Sequence, residues 1–268
     1  MTNKYMKINK IIQGDCLEVM KEFKDNYIDL TVTSPPYDNL RDYKGYSFNF
    51  KGIAKELYRI TKDGGIVVWV VGDATVKGSE TGTSFKQALY FKEIGFNLHD
   101  TMIYKKTGCP FPEFNRYYPI FEYMFVFSKG IPKTVNLIKD RKNMYSGNKV
   151  ARKSHARQKD GSVKENSAYR NDINRVLKDI GVRFNIWEIT SSRNIGDNNN
   201  HPAPFPEKLA QDHILSWSNK GDLILDPMNG SGTTTKIAQK LNRNYIGIDC
   251  SEEYCKIARE RLRQQTLI

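Results

Sequence analysis

The 268-residue sequence is poor in cysteine, with only four, at positions 16, 109, 250 and 255. They form no CxxC pair, which excludes a disulfide-stapled mini-domain and makes a reducing cytosol the default compartment. Histidine is equally sparse. The four at 99, 155, 201 and 213 share no HxxxH spacing and have no cysteine partner, so core or surface roles are expected and no metal site. Long apolar runs are also missing. The longest aliphatic and aromatic stretch, Ile66 to Val71, is far shorter than the roughly 20 residues that cross a bilayer. The opening stretch MTNKYMKINKIIQGD has no apolar core and no small-residue cleavage site, so no secretory signal and no membrane association are expected. No internal repeat is visible.

Positive charge is abundant instead. Lys and Arg number 42 against 30 Asp and Glu, giving a formal net charge of +12 and a pI near 9.4. A hydrophobic content of 39% with 12% aromatics excludes a largely disordered chain and allows a sizeable core. Net charge alone does not separate a polyanionic partner from solubility, but its distribution is uneven. Lys129 to Arg183 holds roughly 15 basic residues against about 5 acidic ones. That stretch is also the weakest in apolar periodicity, with turn signals at Ser146-Gly147-Asn148 and Asp160-Gly161.

On either side of it, short apolar runs alternate with helical spacing. Ile28 to Thr33 reads as a strand, and Phe50, Ile53, Ala54, Leu57 and Tyr58 as one helix face. Lys62-Asp63-Gly64-Gly65 then reads as a turn before a strand at Ile66–Val71. A helix around Phe85, Ala88 and Leu89 leads to strands at Thr101–Lys105 and Tyr123–Ser128. Beyond the basic stretch, Pro206 fits a first helical position, with Leu209, Ala210, His213, Ile214 and Trp217 forming the apolar face. A strand at Leu223–Leu225, a helix at Thr233–Leu241, a strand at Tyr245–Ile248 and a last helix capped by Ser251 complete the pattern. Such alternation predicts a parallel α/β sheet.

Two segments carry chemistry. In Asp226-Pro227-Met228-Asn229-Gly230-Ser231-Gly232-Thr233-Thr234, a strand ends in an acid, glycines let the backbone approach a ligand, and a helix opens at once. Asp249 ends the next strand, nineteen positions after Gly230, where an acid can accept from ribose hydroxyls. A structural glycine turn would explain a lone GxG, but strand, turn, helix, strand and acid together predict cofactor binding. In Thr33-Ser34-Pro35-Pro36-Tyr37, consecutive prolines remove two donors and leave outward carbonyl acceptors. Ser34 adds a hydroxyl acceptor and Tyr37 a ring for stacking. This would suit a planar group bearing an NH₂, although an isolated PPY reads more readily as an extended turn with an exposed Tyr.

Together the two segments resemble the S-adenosylmethionine-dependent DNA amino-methyltransferases. TSPPY is similar to that family's catalytic motif and DPMNGSGTT to its cofactor loop. The order, catalytic motif before cofactor loop, resembles the beta group. Further likenesses are Gly14-Asp15, to the acidic element at the cofactor's adenine end, and Leu57 to Gly65, to the helix-turn after the catalytic loop. His201-Pro202-Ala203-Pro204-Phe205-Pro206-Glu207-Lys208-Leu209 resembles the segment that helps hold the methionine part. The family usually has Phe where this chain has Met228, a thioether that can pack on an adenine or sulfonium edge.

The resemblance implies a Rossmann-like methyltransferase sheet, mostly parallel with helices on both faces, and a basic target-recognition insertion. Residues 1–129 would be the catalytic half, 130–186 the insert and 187–268 the cofactor half. Ser34, Pro35, Pro36 and Tyr37 would serve the target amine, and Asp15, His201, Pro202, Phe205, Asp226, Pro227, Met228, Gly230, Gly232, Thr233 and Asp249 the cofactor. The implied enzyme is cytoplasmic and nucleoid-associated, needs no metal, acts on double-stranded DNA, and is compatible with a separately acting cognate restriction endonuclease. Ser at the head of SPPY favours cytosine N4 over the alternative, adenine N6. A catalytically idle DNA-binding protein and a protein-amide methyltransferase are the readings from other classes.

The remaining candidates carry less. Cys109-Pro110 has the reverse order of a cytosine-C5 nucleophile motif and reads as a loop cysteine. Glu122 reads as an edge charge near a point where the family often has an acid. Arg41, Asp42, Tyr43 and Lys44 read equally as a closing loop or a solvated one, and Trp187 reads as core in preference to pocket lining.

Overall fold

The computed structural model describes residues 8–36, 48–108, 115–149, 155–165, 176–190 and 206–265. They fall into two compact units, one of residues 1–136 with 185–268 and one of 137–184.

The first unit begins with β1 (Lys10–Gln13), α1 (Cys16–Lys21), β2 (Ile28–Thr33), α2 (Phe50–Ile60) and β3 (Thr61–Val71). A small hairpin of β4 (Thr75–Val76) and β5 (Ser79–Glu80) follows, then α3 (Thr83–Glu93), β6 (Asn97–Lys106) and β7 (Phe121–Ser128). The second unit holds β8 (Lys139–Lys142), β9 (His155–Arg157), β10 (Val163–Glu165) and β11 (Ile180–Val182). The chain returns to the first unit through β12 (Ile186–Ile189), α4 (Glu207–Trp217), β13 (Leu223–Asp226), α5 (Thr233–Lys240), β14 (Asn244–Asp249) and α6 (Glu252–Gln265).

Among the described residues, the first unit is built on an eight-stranded sheet in the order β1-β14-β13-β2-β3-β7-β6-β12. Neighbours pair in parallel except at β7, which runs against both β3 and β6. The period-2 alternation of strand side chains divides the core. Ile66, Val68 and Val70 of β3 join Met124 and Val126 of β7 on the face covered by α4, α5 and α6. Val67, Trp69 and Val71 join Phe125 and Phe127 on the face covered by α1, α2 and α3. Burial on both faces explains why β3 is apolar without interruption from Ile66 to Val71.

Four details differ from the sequence reading. Gly64 and Gly65 lie within β3, where Gly64 N–H donates to the Lys129 carbonyl (2.6 Å) and Lys129 N–H to the Gly65 carbonyl (3.1 Å). Helix α3 buries Ser84, Gln87, Ala88 and Phe91 and leaves Phe85 and Leu89 exposed. The polar pair is buried because each finds a partner: Gln87 accepts from Trp69 Nε1 at 2.8 Å, and the Ser84 hydroxyl donates to Asp73 Oδ2. Pro206 is the N-cap of α4, one position before its first helical residue, while the expected α4 face is buried throughout. Glu122 sits in β7, inside the sheet and not at its edge, paired with Lys106 at 2.6 Å.

In the second unit, β8 and β11 form one antiparallel ribbon and β9 and β10 another. No described helix is long and apolar enough to cross a membrane.

Candidate active site

The sheet order creates a crevice without any help from side chains. From β13 the chain passes through α5 to β14 on one side, whereas from β2 it passes through α2 to β3 on the other. The two paths diverge between β13 and β2. In open α/β sheets, ligands bind at such a switch point, beyond the carboxyl ends of the strands. Because β1, β14, β13 and β2 are mutually parallel, their carboxyl ends share one edge. That edge gathers Gly14-Asp15, Asp249, the loop from Asp226 to Gly232, and Ser34-Pro35-Pro36. These segments come from distant parts of the chain.

Asp226 links the two motifs. It is 5% exposed, and its Oδ1 accepts from Thr33 Oγ1 at 2.8 Å and from Met228 N–H at 3.2 Å. Burial pushes its carboxyl up to about 6, against the opposing pull of bonds from Thr33, Thr234 and Met228 N–H. The Asp249 charge raises it further. Thr33 thus ties the strand that delivers Ser34 and Pro35 to the strand that delivers the glycine loop. Pro35 is buried and Ser34 and Pro36 are half-buried.

The loop after Asp226 is held by its own backbone. Asn229 N–H donates to the Ile248 carbonyl at 2.9 Å, Gly232 N–H to the Asn229 carbonyl at 2.8 Å, and Gly230 N–H to Asp249 Oδ2 at 2.8 Å. Gly232 has φ +84°, and a Cβ there would lie 2.7 Å from Ala258 Cβ, so only glycine lets α6 approach the start of α5. Thr233 is buried as the first residue of α5, and Pro227 is buried between Asp226 and the half-buried Met228. Asn229 Oδ1 accepts from Thr235 Oγ1 at 3.0 Å, and a Cβ on Gly247 would collide with the Asn229 side chain at 2.6 Å.

Asp249 accepts from two backbone groups, Gly230 N–H and Ser251 N–H, each at 2.8 Å. Each oxygen keeps a lone pair for a further donor. Burial raises its carboxyl above the usual range, although both bonds oppose the shift. Asp15 is exposed and caps α1, its Oδ1 accepting from Leu17 N–H at 2.9 Å and Glu18 N–H at 3.1 Å. It lies beside Asp249 at the edge, because Gln13 and Asp249 are register partners and Gly14 N–H donates to the Asp249 carbonyl at 2.9 Å.

Arg261 of α6 is not singled out by the sequence reading, yet it braces this loop. It is 8% exposed. Its Nη1 donates to the Ser231 carbonyl (2.9 Å), Ser231 Oγ (3.1 Å) and Thr233 Oγ1 (3.3 Å), and its Nη2 to Glu207 Oε1 (2.9 Å). Glu207 also receives Lys236 Nζ at 2.7 Å. A signal for Arg261 does exist: Cys255, Ala258 and Leu262 mark the buried stripe of α6, and Arg261, three residues after Ala258, falls on the same side.

Tyr37, Arg41, Asp42, Tyr43, Lys44, Cys109, Pro110, His201, Pro202 and Phe205 lie outside the described residues. Trp187 is 6% exposed in β12, its ring 4.6 Å from that of His213. His213 is fully buried, with Nε2 3.2 Å from Met124 Sδ and no partner for Nδ1. Burial drops its pKa to about 3. Among the described residues, no three His, Cys, Asp or Glu side chains are grouped to hold a metal ion.

Fold and crevice together define a doubly wound, Rossmann-like α/β protein with an acid-lined ligand edge at its switch point. The N6_N4_Mtase family profile, described as DNA methylase, matches residues 28–260. The orphan methyltransferase M.BamHII of Bacillus amyloliquefaciens is 59% identical over 254 residues, covering 93% of this chain and 94% of that protein. The type II methyltransferase M.SmaI of Serratia marcescens is 27% identical over 296 residues, covering 94% and 90%. Among solved structures, the cytosine-N4-specific PvuII DNA methyltransferase superposes with a TM-score of 0.67 at 20% identity, covering 95% of this chain and 90% of that one. The TTHA0409 protein of Thermus thermophilus, complexed with S-adenosyl-L-methionine, gives 0.65 at 24% identity, covering 96% and 93%. This chain belongs to the N6/N4 DNA methylase family.

Proposed function

We propose that the protein transfers a methyl group from S-adenosyl-L-methionine to the exocyclic N4 amine of a cytosine turned out of duplex DNA. The observation that carries this reading is the buried Thr33–Asp226 bond, which holds an amine-accepting Ser-Pro segment against a cofactor-type glycine loop. The chemistry of the crevice fits the cofactor. Asp226 and Asp249 are two desolvated carboxylates at neighbouring strand ends, and the cofactor offers a cationic amino acid end and ribose hydroxyl donors. When bound, S-adenosyl-L-methionine supplies an electrophilic methyl on a sulfonium centre.

The residues of the chain would then act by placement. Asp249 takes the ribose hydroxyls on its remaining lone pairs, and the Asp226–Gly232 loop presents backbone close to the ligand. Asp15, His201, Pro202 and Phe205 would complete the cofactor's surroundings. Ser34 Oγ and the Pro35 carbonyl accept from the target amine, whose lone pair is otherwise delocalised into the ring. Acceptors placed there favour the pyramidal nitrogen of the transition state as positive charge develops on it. A base cannot meet them while stacked in the duplex, so it must be extruded, and Tyr37 would stack on it.

Serine at position 34 supports cytosine N4; adenine N6 is the competing base. The basic second unit would contact phosphates and read base edges. Incubation with S-adenosyl-L-methionine and mixed-sequence duplex DNA, followed by mass separation of the nucleosides, tests the reading. N4-methyldeoxycytidine is expected. N6-methyldeoxyadenosine alone would replace the base, and no methylated nucleoside would overturn the function.

A further inference from the structure

In the second unit, the β8–β11 ribbon pairs Ile180 with Lys142 and Gly181 with Arg141, and antiparallel pairing resumes at Lys149 and Val176. Between these points, the six residues from Asn143 to Asn148 face only Leu177 to Asp179. The surplus must leave the ribbon as a turn. Its base is pinned from both strands: Asn143 N–H donates to the Asp179 carbonyl (2.9 Å), Asn143 Nδ2 to the Lys178 carbonyl (2.7 Å), Gly147 N–H to the Leu177 carbonyl (3.0 Å) and Leu177 N–H to the Asn148 carbonyl (3.0 Å). The Ser146 hydroxyl also bonds the Asp179 carboxylate, and Gly147 supplies φ +81° for the return.

This framework holds two large side chains out in water. Met144 is 89% exposed and Tyr145 64% exposed, with exposed Lys142 and Lys149 on either side. Scattered exposed apolar residues are ordinary. Here, however, two neighbours occupy the tip of a turn fixed by backbone and side-chain bonds, between two cations, in the most basic part of the chain. Tyrosine has only two side-chain torsions to fix on binding, and methionine is among the side chains that wedge into base steps. A second copy of so basic a unit would be repelled.

We propose that the Met144–Tyr145 turn is a wedge that packs on the bases of duplex DNA while Lys142 and Lys149 rest on the flanking phosphates. The proposal rests on the reading that the chain methylates DNA. It separates two contributions with different salt dependence. Apolar contact with bases releases no counterions, whereas each phosphate contact does.

The test compares the full-length protein with Met144→Ala/Tyr145→Ala and Lys142→Ala/Lys149→Ala variants. Methyl incorporation into sheared mixed-sequence duplex DNA gives KM for DNA at several salt concentrations, and calorimetry gives Kd for S-adenosyl-L-methionine. The Met144/Tyr145 variant should raise KM for DNA roughly 10- to 100-fold, the scale of lost base stacking, with an unchanged salt slope and cofactor Kd. The lysine variant should lower the slope by about 2. A Met144→Leu/Tyr145→Phe variant should stay near wild type. The wedge is refuted if wild type methylates DNA and the alanine variant has the same KM, or differs only in salt slope. Loss of self-association with DNA affinity intact would equally refute it. A wild type that methylates no DNA would remove the functional reading and the wedge with it.

Discussion

Replacing Asp226 by Asn should make the protein more stable and less functional, and the gain should depend on pH in a defined way. Asp226 has a carboxyl raised from 3.8 to about 6 by burial at the switch point. A carboxyl raised on folding contributes stability that is fully present below 3.8 and lost as pH rises through about 6. Above that, the folded protein carries a desolvated charge that the unfolded chain ionises freely. The difference of roughly 2 units corresponds to about 3 kcal/mol at neutral pH.

Asparagine resembles the protonated acid in shape and cannot ionise. Its amide oxygen can keep the bonds from Thr33 Oγ1 and Met228 N–H. In the variant the Thr234 hydroxyl can turn its proton to the Val32 carbonyl, 3.3 Å away, and accept from the amide NH₂. Urea denaturation of both proteins across pH should therefore show no difference near pH 4, a growing advantage for the variant up to about pH 6, and a plateau of about 3 kcal/mol above it. Calorimetry should show cofactor affinity lowered at least roughly tenfold, as for loss of a buried charged partner. A variant less stable than wild type by the same amount at every pH would refute the argument.

Three other perturbations probe separate parts of the account. Gly232→Ala forces a Cβ to 2.7 Å from Ala258 Cβ at φ +84° and should cost about 2–4 kcal/mol in denaturant unfolding. Arg261→Met leaves Ser231, Thr233 and Glu207 without their brace. It should cost about 2–4 kcal/mol and raise KM for the cofactor more than it lowers kcat, whereas a purely structural loss would leave KM unchanged. His213 has its pKa lowered from 6.5 to about 3, so its contribution is complete above 6.5 and lost as pH falls toward 3. His213→Phe should flatten that acid-side loss, seen as a wild-type minus variant stability difference that narrows, then reverses, below about pH 6.5.

The parts of the fold most legible in the sequence are those written in local pattern. The strand at Ile28–Thr33, the acid-ended strand Leu223–Asp226 and the glycine loop entering α5 need only residues near one another in the chain. The features that make the site a unit are not local. Thr33 and Asp226 meet across 193 positions, and nothing in TSPPY announces that its threonine bonds a buried acid in the other motif. Arg261 looks like one of several solvent-facing arginines in RERLRQQ until Ala258 and Leu262 reveal the buried stripe. Helix α3 is legible as a helix but not by face, because Gln87 and Ser84 are buried only through the partners they find in Trp69 and Asp73. Asp15 is expected at the cofactor edge, and the fold adds that it caps α1 there.

The measurement that bears most directly on the central claim is single-turnover methyl transfer by wild type and Ser34→Ala, with cofactor Kd determined for both. The account predicts that methyl-labelled S-adenosyl-L-methionine passes its label to duplex DNA in wild type. In the variant, transfer should fall by roughly 100-fold or more, the scale for losing a transition-state acceptor, while cofactor Kd stays the same. Full transfer by Ser34→Ala would contradict the placement of the target amine at Ser34 and Pro35, and absence of transfer by wild type would contradict the function itself.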